Sequence, residues 1–220
     1  FYEAGRSTAE ENSLRVCLLA QESGVWRAMA EYPAAGAEIE RIDIEQLGSN
    51  PRKNLIIRYS MVDGANRTAE ILHYDDKSLT RTLSLPYSQL TVLNGDGTAE
   101  LFVISGTTSA EAASATVYAL DEDGTYLHSQ AALPETFTDI TSIGYGILPD
   151  STGAKSLSAI YIDGASGATT AQTAVLTYQD ATLSTVYADS PERFPNTARP
   201  AGCLTADLDG DGEQEIPVQT

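Results

Sequence analysis

Short apolar runs, separated by polar turns, recur along most of the chain. They are rich in β-branched and aromatic residues, and Gly, Asp, Asn and Ser bound them. This pattern is typical of β-strands, and long runs with helical periodicity are few. The strands predicted most directly cover residues 14–19, 54–59, 70–74, 101–104, 115–120, 159–162 and 174–178.

Polar turns connect several of these strands to a following strand and so predict β-hairpins. The turns lie at residues 21–24, 75–78, 121–124 and 179–182. Another strand pair precedes three of the hairpins, at residues 39–44 with 55–59, 90–93 with 101–104, and 140–148 with 157–162. A fourth such pair, at residues 204–208 and 216–218, begins near the end of the sequence.

The repeating unit therefore has four antiparallel strands and a period of roughly 46 to 60 residues, which predicts the blades of a β-propeller. We expect an all-β fold and a single propeller domain over residues 1–220, with about four blades. The approximate blades are 1–38 (partial), 39–88, 89–139, 140–200 and 201–220 (partial).

Stacked blades cover both faces of each sheet and leave short edges. Two arrangements remain open. In one, the last strands complete the first blade of a closed four-bladed ring. In the other, the chain is part of a larger ring of six to eight blades. The closed ring is slightly favoured, because an open fragment would expose two blade faces.

The acidic loop at residues 207–215, with the sequence DLDGDGEQE, carries oxygen-bearing side chains at every second position. Such side chains in a tight loop converge on one centre, and calcium takes six to eight oxygen ligands. Gly210 and Gly212 permit the loop to wrap. An oxygen-only set disfavours zinc and copper. The predicted ligands are the carboxylates of Asp207, Asp209, Asp211 and Glu215 and the backbone carbonyl of Glu213. The alternative is an Asp/Gly-rich turn without metal.

A weaker copy of this loop lies upstream, where Val92 replaces the first Asp. Its candidate ligands are Asn94, Asp96, the carbonyl of Thr98, and Glu100. The corresponding stretches at residues 45–51 and 149–153 have lost the acidic spacing, so calcium is not expected there. The acidic stretch 121–124 lies between two hairpin strands and is predicted to be a turn.

Together, the loops and the blade pattern make the chain resemble the FG-GAP/VCBS repeat family. Its members are β-propellers like the head of integrin α subunits, with calcium loops of the form D-x-D-x-D-G-x-x-D/E between the first two strands of a blade. Residues 208–212 followed by 215–218 match this form closely, and residues 95–103 match it well. The string NTARP at residues 196–200 also resembles uncharacterised bacterial surface lipoproteins, from anaerobic Gram-positive species, that carry such repeats.

The resemblance implies a calcium-stabilised, extracellular or cell-surface protein. The first residues lack the basic start and apolar stretch of a signal peptide. We therefore expect an export or lipid-anchor segment to lie outside this sequence. No apolar run reaches the roughly 18 residues that a membrane-spanning helix needs.

The net charge and the cysteine count also bear on the class of function. The chain has 31 acidic and 13 basic residues and a net charge of −18, which argues against nucleic acid as a partner. A solvated acidic surface is the simplest interpretation of most of these carboxylates. Cys17 and Cys203 are too few for a disulfide framework, and each sits in an apolar run, so both are predicted to be buried thiols.

No catalytic motif stands out. His73 and His128 lie in or beside strands, where structural roles are the default, and neither a nucleophile elbow nor a dinucleotide loop is present. The expected function is a monomeric, non-enzymatic binding or adhesion module, or a structural one, for an unknown protein or glycan ligand. The alternative is a propeller-type carbohydrate-active enzyme, a glycosidase or a lyase, which would need a pair of acidic residues that nothing in the sequence singles out.

Overall fold

The computed structural model describes residues 2–3, 14–61, 66–93, 98–106, 113–133, 139–148, 157–165, 171–188 and 208–211. The regular elements among these residues are fifteen β-strands, and no helix occurs in the described ranges. All neighbouring strands pair antiparallel. The predicted all-β, antiparallel class is therefore confirmed.

The strands form four sheets, and in each sheet the strand order follows the order in the chain. The first sheet contains β1 (Tyr2–Glu3), β2 (Arg15–Glu22) and β3 (Val25–Pro33). The second contains β4 (Glu38–Gln46), β5 (Lys53–Ser60), β6 (Arg67–Asp75) and β7 (Ser78–Tyr87). The third contains β8 (Gln89–Leu93), β9 (Glu100–Ser105), β10 (Ser114–Leu120) and β11 (Tyr126–Ala132). The fourth contains β12 (Asp139–Leu148), β13 (Leu157–Ala165), β14 (Ala171–Gln179) and β15 (Thr182–Ala188).

The chain divides into two compact units, an N-terminal unit of Phe1–Tyr87 and a C-terminal unit of Ser88–Thr220. In the N-terminal unit, one apolar core joins the first and second sheets. Its members include Val16, Leu55, Ile57, Tyr59 and Leu72. In the C-terminal unit, a second core joins the third and fourth sheets. Its members include Phe102, Ile104, Val117, Ile160, Ile162 and Leu176. Each unit is thus held together by two sheets packed face to face.

The middle strands are buried on both faces. In β5, the neighbouring side chains of Ile56 and Ile57 are both fully buried, and in β9 the same holds for Leu101 and Phe102. Neighbouring residues of a strand point to opposite faces, so both faces of these strands are covered. The last strands β3, β7, β11 and β15 are mostly exposed.

Three hairpins have the same two-residue turn. The turn residues are Ser23 and Gly24, Asp76 and Lys77, and Asp180 and Ala181, and all six have φ between 43° and 81°. Two consecutive residues with positive φ are the signature of a type I′ turn, whose twist matches that of antiparallel strands. The predicted turn positions are confirmed.

The same three hairpins share a β-bulge. In each of them, four strand pairs follow the turn and one extra residue then interrupts the last strand. The extra residues are Met29, Thr82 and Val186. The Thr82 hydroxyl donates to the Ile71 carbonyl at 3.0 Å, which satisfies an acceptor beside the irregular pairing. The bulge therefore recurs in three of the four sheets at the same distance from the turn.

The predicted strands from residue 14 to residue 178 are confirmed within the described ranges. No described sheet closes on itself, so the closed ring, the propeller and the single-domain arrangement stay predictions. The predicted strands at 204–208 and 216–218 lie outside the described residues except for Leu208, which is in a bend. Cys17, predicted to be a buried thiol, is a free thiol on β2 but only half-buried, because neighbouring Val16 takes the core-facing position. Cys203 lies outside the described residues.

Candidate functional site

The acidic loop is described only at residues 208–211, all of which are exposed. Asp207, Glu213 and Glu215 lie outside the described residues. Gly210 has a φ of +81°, and the Asp209 carboxylate oxygen Oδ1 accepts the backbone N–H of Asp211 at 3.2 Å. A left-handed glycine between two exposed aspartates occurs both in a wrapped oxygen-ligand loop and in an Asp/Gly-rich turn without metal. Calcium at this loop therefore stays a prediction.

The upstream copy is described at Thr98 and Glu100, whereas Asn94 and Asp96 lie outside the described residues. Glu100 opens β9, pairs with Leu93 and is buried. It thus occupies the first position of the strand that leaves the loop. Among the described residues of the chain, no three His, Cys, Asp or Glu side chains converge as a metal site. Each of the two predicted metal sites also includes residues outside the described ranges.

The acidic stretch at 121–124 is a hairpin turn, as predicted. The Asp121 oxygen Oδ1 accepts the backbone N–H groups of Asp123 at 3.0 Å and Thr125 at 2.8 Å. Gly124 closes the turn with a φ of 85°. One oxygen of the Asp121 carboxylate is therefore committed to the backbone of its own turn.

The loop between β4 and β5, at residues 47–52, is held by neutral groups. Leu47 is fully buried, and Gly48 has a φ of 58°. The side-chain oxygen of buried Asn50 accepts the Arg52 backbone N–H at 3.0 Å. Buried Asn54 donates from Nδ2 to the Arg52 carbonyl at 3.3 Å. This loop joins the first two strands of its sheet, which is where the sequence predicts calcium loops in other repeats, but it has an apolar and amide scaffold instead of carboxylates.

A cleft with a volume of about 420 Å³ opens beside this loop in the N-terminal unit. Its apolar wall consists of Leu18, Ile44, Leu55 and Tyr74, and its polar residues are Arg52, Lys53, His73 and Asp75. The Arg52 guanidinium nitrogen Nη1 lies 3.2 Å from His73 Nε2. Because a guanidinium only donates, His73 Nε2 is the acceptor of this bond.

Sequence reasoning did not identify this cleft. The available signal was the adjacent pair Arg52 and Lys53 at a loop position where two other repeats carry acidic residues. The contribution of His73, from the end of β6, depends on strand pairing and could not be read from local sequence.

A buried carboxylate lies in the core of the N-terminal unit. Glu70 of β6 is 1% exposed, and its two oxygens accept hydrogen bonds from Arg81 Nη1 at 2.6 Å and from the Tyr32 hydroxyl at 2.8 Å. Burial, reinforced by Glu70, raises the pKa of Tyr32 to about 12. Burial and the nearby Glu70 also raise the pKa of Tyr59, whose buried hydroxyl has no hydrogen-bond partner among the described residues. Since both oxygens of Glu70 are engaged, it fits a structural role.

A second polar cluster lies on β4, β5, β6 and β7. Asp43 is 10% exposed and bridges Arg58 Nη2 at 2.8 Å and Arg41 Nε at 2.7 Å. Burial lowers the pKa of Arg58, although Asp43 opposes this effect. Glu40, the extra residue of a separate bulge in β4, accepts a hydrogen bond from Tyr87 and pairs with Arg67, each at 3.3 Å. The pKa of Tyr87 rises to about 12, first through burial and then through Glu40.

Charge is distributed unequally between the two units. Phe1–Tyr87 contains 13 acidic and 10 basic residues, whereas Ser88–Thr220 contains 18 acidic and 3 basic residues. The net charges are thus −3 and −15. The C-terminal unit carries most of the acidic character that the total composition shows, and such a field attracts cations.

The two histidines lie on strands of different units. His73 contacts the cleft described above, and His128 of β11 pairs with Tyr118 of β10. The rings of His128 and Tyr118 are tilted by 31° with centroids 6.0 Å apart. Ring packing of this kind suits the structural role that the sequence predicted for His128.

Neither a scan against protein-family models nor a search of the curated proteins finds a match to this chain. Within the described ranges, no helix is long and apolar enough to cross a membrane.

Proposed function

We propose that the chain is a β-propeller that acts outside the cell or at its surface as a calcium-stabilised binding or adhesion module. The observation that carries the proposal is the repeated hairpin. Three of the four sheets, in both compact units, share one type I′ turn and one bulge at the same distance from it. Unrelated sheets would not share an irregularity at one register, so repetition of a single four-stranded unit is the natural explanation.

The burial of the middle strands supports an arrangement of stacked blades. A lone antiparallel sheet packed on one side leaves its other face in water and shows alternating burial. Strands β5 and β9 are instead buried on both faces. Blades arranged around an axis supply this double cover for their middle strands, while the outermost strands stay exposed.

The acidic loop at residues 207–215 is the basis for proposing calcium. Asp207, Asp209, Asp211 and Glu215 would hold the ion together with the carbonyl of Glu213, and Asn94, Asp96, Thr98 and Glu100 would form the weaker site. A bound calcium ion neutralises carboxylates that otherwise repel one another and so fixes the loop. The role is structural, and the ligand of the module, a protein or a glycan, would contact loops on one propeller face.

The experiment is a thermal melt in EDTA and with added calcium. We expect calcium to raise the melting temperature of the wild type and the double variant Asp209→Asn/Asp211→Asn to lose the effect. The control, Asp76→Asn/Asp180→Asn, removes the same charge from two type I′ turns and should respond as the wild type does. Equal melting temperatures in EDTA and calcium would remove calcium from the proposal.

The binding role is tested separately by probing glycan and protein arrays with the purified chain. Retention on a defined subset of spots would support a binding module. Uniform background binding would instead favour the purely structural role.

A further inference from the structure

We propose that the cleft between β2 and the β4–β5 loop binds a carboxylate-bearing sugar, with Arg52 and Lys53 holding the carboxylate. This site goes beyond the proposed module, because it uses neither the acidic loop nor calcium. All of its residues belong to the N-terminal unit.

The first argument is that the two cations lack acidic partners. Six ion pairs join described residues, and they use Arg15, Arg27, Arg41, Arg58, Arg67 and Arg81. Arg52 and Lys53 form none within the described part of the chain, although acids outnumber bases by 31 to 13. Two adjacent cations without a carboxylate partner, at the mouth of a cleft, are suited to an anion from outside.

The second argument is that Arg52 is held in place before any ligand arrives. Its backbone is fixed on both sides by the buried amides of Asn50 and Asn54. Its side chain is oriented by His73 at 3.2 Å. A guanidinium has five N–H donors, so this bond leaves a donor edge for a planar carboxylate. Preorganisation of this kind reduces the entropy lost on binding.

The third argument concerns the body of the ligand. Leu18, Leu55 and the half-buried Tyr74 offer an apolar and aromatic wall against which a ring can pack. Asp75 supplies an acceptor at the same cleft, which suits ligand hydroxyl groups and disfavours a second negative charge. A hexuronate combines one carboxylate, one ring and several hydroxyl donors. The volume of about 420 Å³ lies in the lower part of the range for small-molecule pockets.

The chain offers a site-specific probe, because His73 and His128 are its only histidines. Methyl glucuronide and methyl galacturonide are titrated against the full chain while the histidine ring proton signals are followed by NMR. Methyl glucoside and methyl galactoside serve as neutral matches. N-acetylphenylalanine and its amide test a peptide carboxyl terminus instead.

We expect at least one uronide to shift the His73 signals saturably and to leave those of His128 in place, with no shift from its neutral match. Arg52→Gln and Lys53→Gln should each weaken binding about tenfold or more. Lys77→Gln, which removes an exposed charge outside the cleft, should bind like the wild type. Melting curves check that each variant folds. If Arg52→Gln does not fold, Lys53→Gln still tests the site.

Three outcomes would overturn the inference: equal shifts from neutral sugars and uronides, unchanged uronide affinity in both cation variants, or binding of N-acetylphenylalanine alone. Titrations in EDTA and in calcium should agree. The result of the uronide titrations is therefore independent of the result of the calcium melts.

Discussion

Gly36 and Tyr59 illustrate how single positions constrain the N-terminal unit. A Cβ atom built on Gly36 would lie 2.5 to 2.7 Å from three side-chain atoms of Tyr59. Tyr59 is fully buried between the first two sheets, so its ring has no free space into which to move. The need for glycine at this position comes from close approach, since its φ is not in the left-handed region.

We expect Gly36→Ala to lower the free energy of unfolding by about 1–3 kcal/mol, the usual cost of overpacking a core. Urea denaturation followed by far-ultraviolet circular dichroism measures it. Ala35→Ser, on the exposed neighbouring residue, should change stability by no more than about 0.5 kcal/mol. Similar stability of the two variants would show that the Tyr59 ring can move to make room for the added methyl group.

The tyrosines around Glu70 predict loss of stability at high pH. The pKa of Tyr32 is about 12 in the folded chain against an ordinary value of 10.0. A group with a raised folded pKa contributes stability that is complete below the unfolded pKa, here 10.0, and is lost as pH rises through about 12. Ionised Tyr32 would also face the Glu70 carboxylate across a hydrogen bond that it could no longer donate.

Tyr32→Phe tests this assignment. The variant should lose about 1 kcal/mol at neutral pH, because Glu70 loses a donor. It should also show a shallower fall in unfolding free energy between pH 10 and 12 than the wild type. Denaturation curves across this pH range give both quantities. An unchanged alkaline slope would assign the loss to other tyrosines, such as Tyr87.

At the scale of elements, the recurring unit is the hairpin with its type I′ turn. Asp180 and Ala181 both have positive φ, at 49° and 58°. Left-handed backbone costs a non-glycine residue about 1–2 kcal/mol, and alanine has no side-chain hydrogen bond to offset the cost. The corresponding turn at Ser23 and Gly24 has glycine in the second position.

Ala181→Gly should therefore stabilise the chain by about 0.5–1 kcal/mol. This is the backbone strain that glycine relieves minus the conformational entropy that glycine loses on folding. Ala20→Gly, inside β2, provides the control with the opposite sign, because glycine weakens a strand interior. Chemical denaturation of both variants measures the difference. A loss of stability in Ala181→Gly would contradict the strain argument.

Strands and turns could be predicted because their signals are local: alternating apolar residues, and Gly, Asp and Ser between them. The bulges could not, since Met29, Thr82 and Val186 look like ordinary strand residues and become extra only through pairing with the neighbouring strand. Glu70 escaped notice for a related reason. Its burial and its partners on β3 and β7 come from tertiary packing, which a charged residue in a strand does not reveal.

At the scale of the whole molecule, the unequal charge of the two units has the largest consequence. The C-terminal unit has a net charge of −15, and none of its three basic residues lies in the described ranges. Like charges at this density repel one another and oppose the compact state, and dissolved salt screens the repulsion. The acidic loop is predicted from spacing alone and stays a prediction, since the structure describes only residues 208–211 of it. The cleft could not be predicted, because its residues come from four strands and one loop.

Added NaCl should raise the melting temperature of the chain in EDTA, where no divalent cation contributes. Calcium should then raise it further at an ionic strength matched with NaCl, if the acidic loop binds the ion. Thermal melts followed by circular dichroism separate the two effects. A melting temperature that falls with NaCl would mean that attractive ion pairs outweigh the repulsion.

The shared bulge also bears on whether copies of this chain stick together. Strands β3, β7, β11 and β15 are the last strands of the described sheets, and the edge of a sheet invites another strand to add to it. A bulge bends β3, β7 and β15 away from the flat form that this requires, and Pro86 removes a donor from β7. Strand β11 has no bulge, but the Leu183 N–H of neighbouring β15 donates to its Ser129 hydroxyl at 2.9 Å. The repeat thus blunts its own aggregation-prone edges, in keeping with the monomer that we predict.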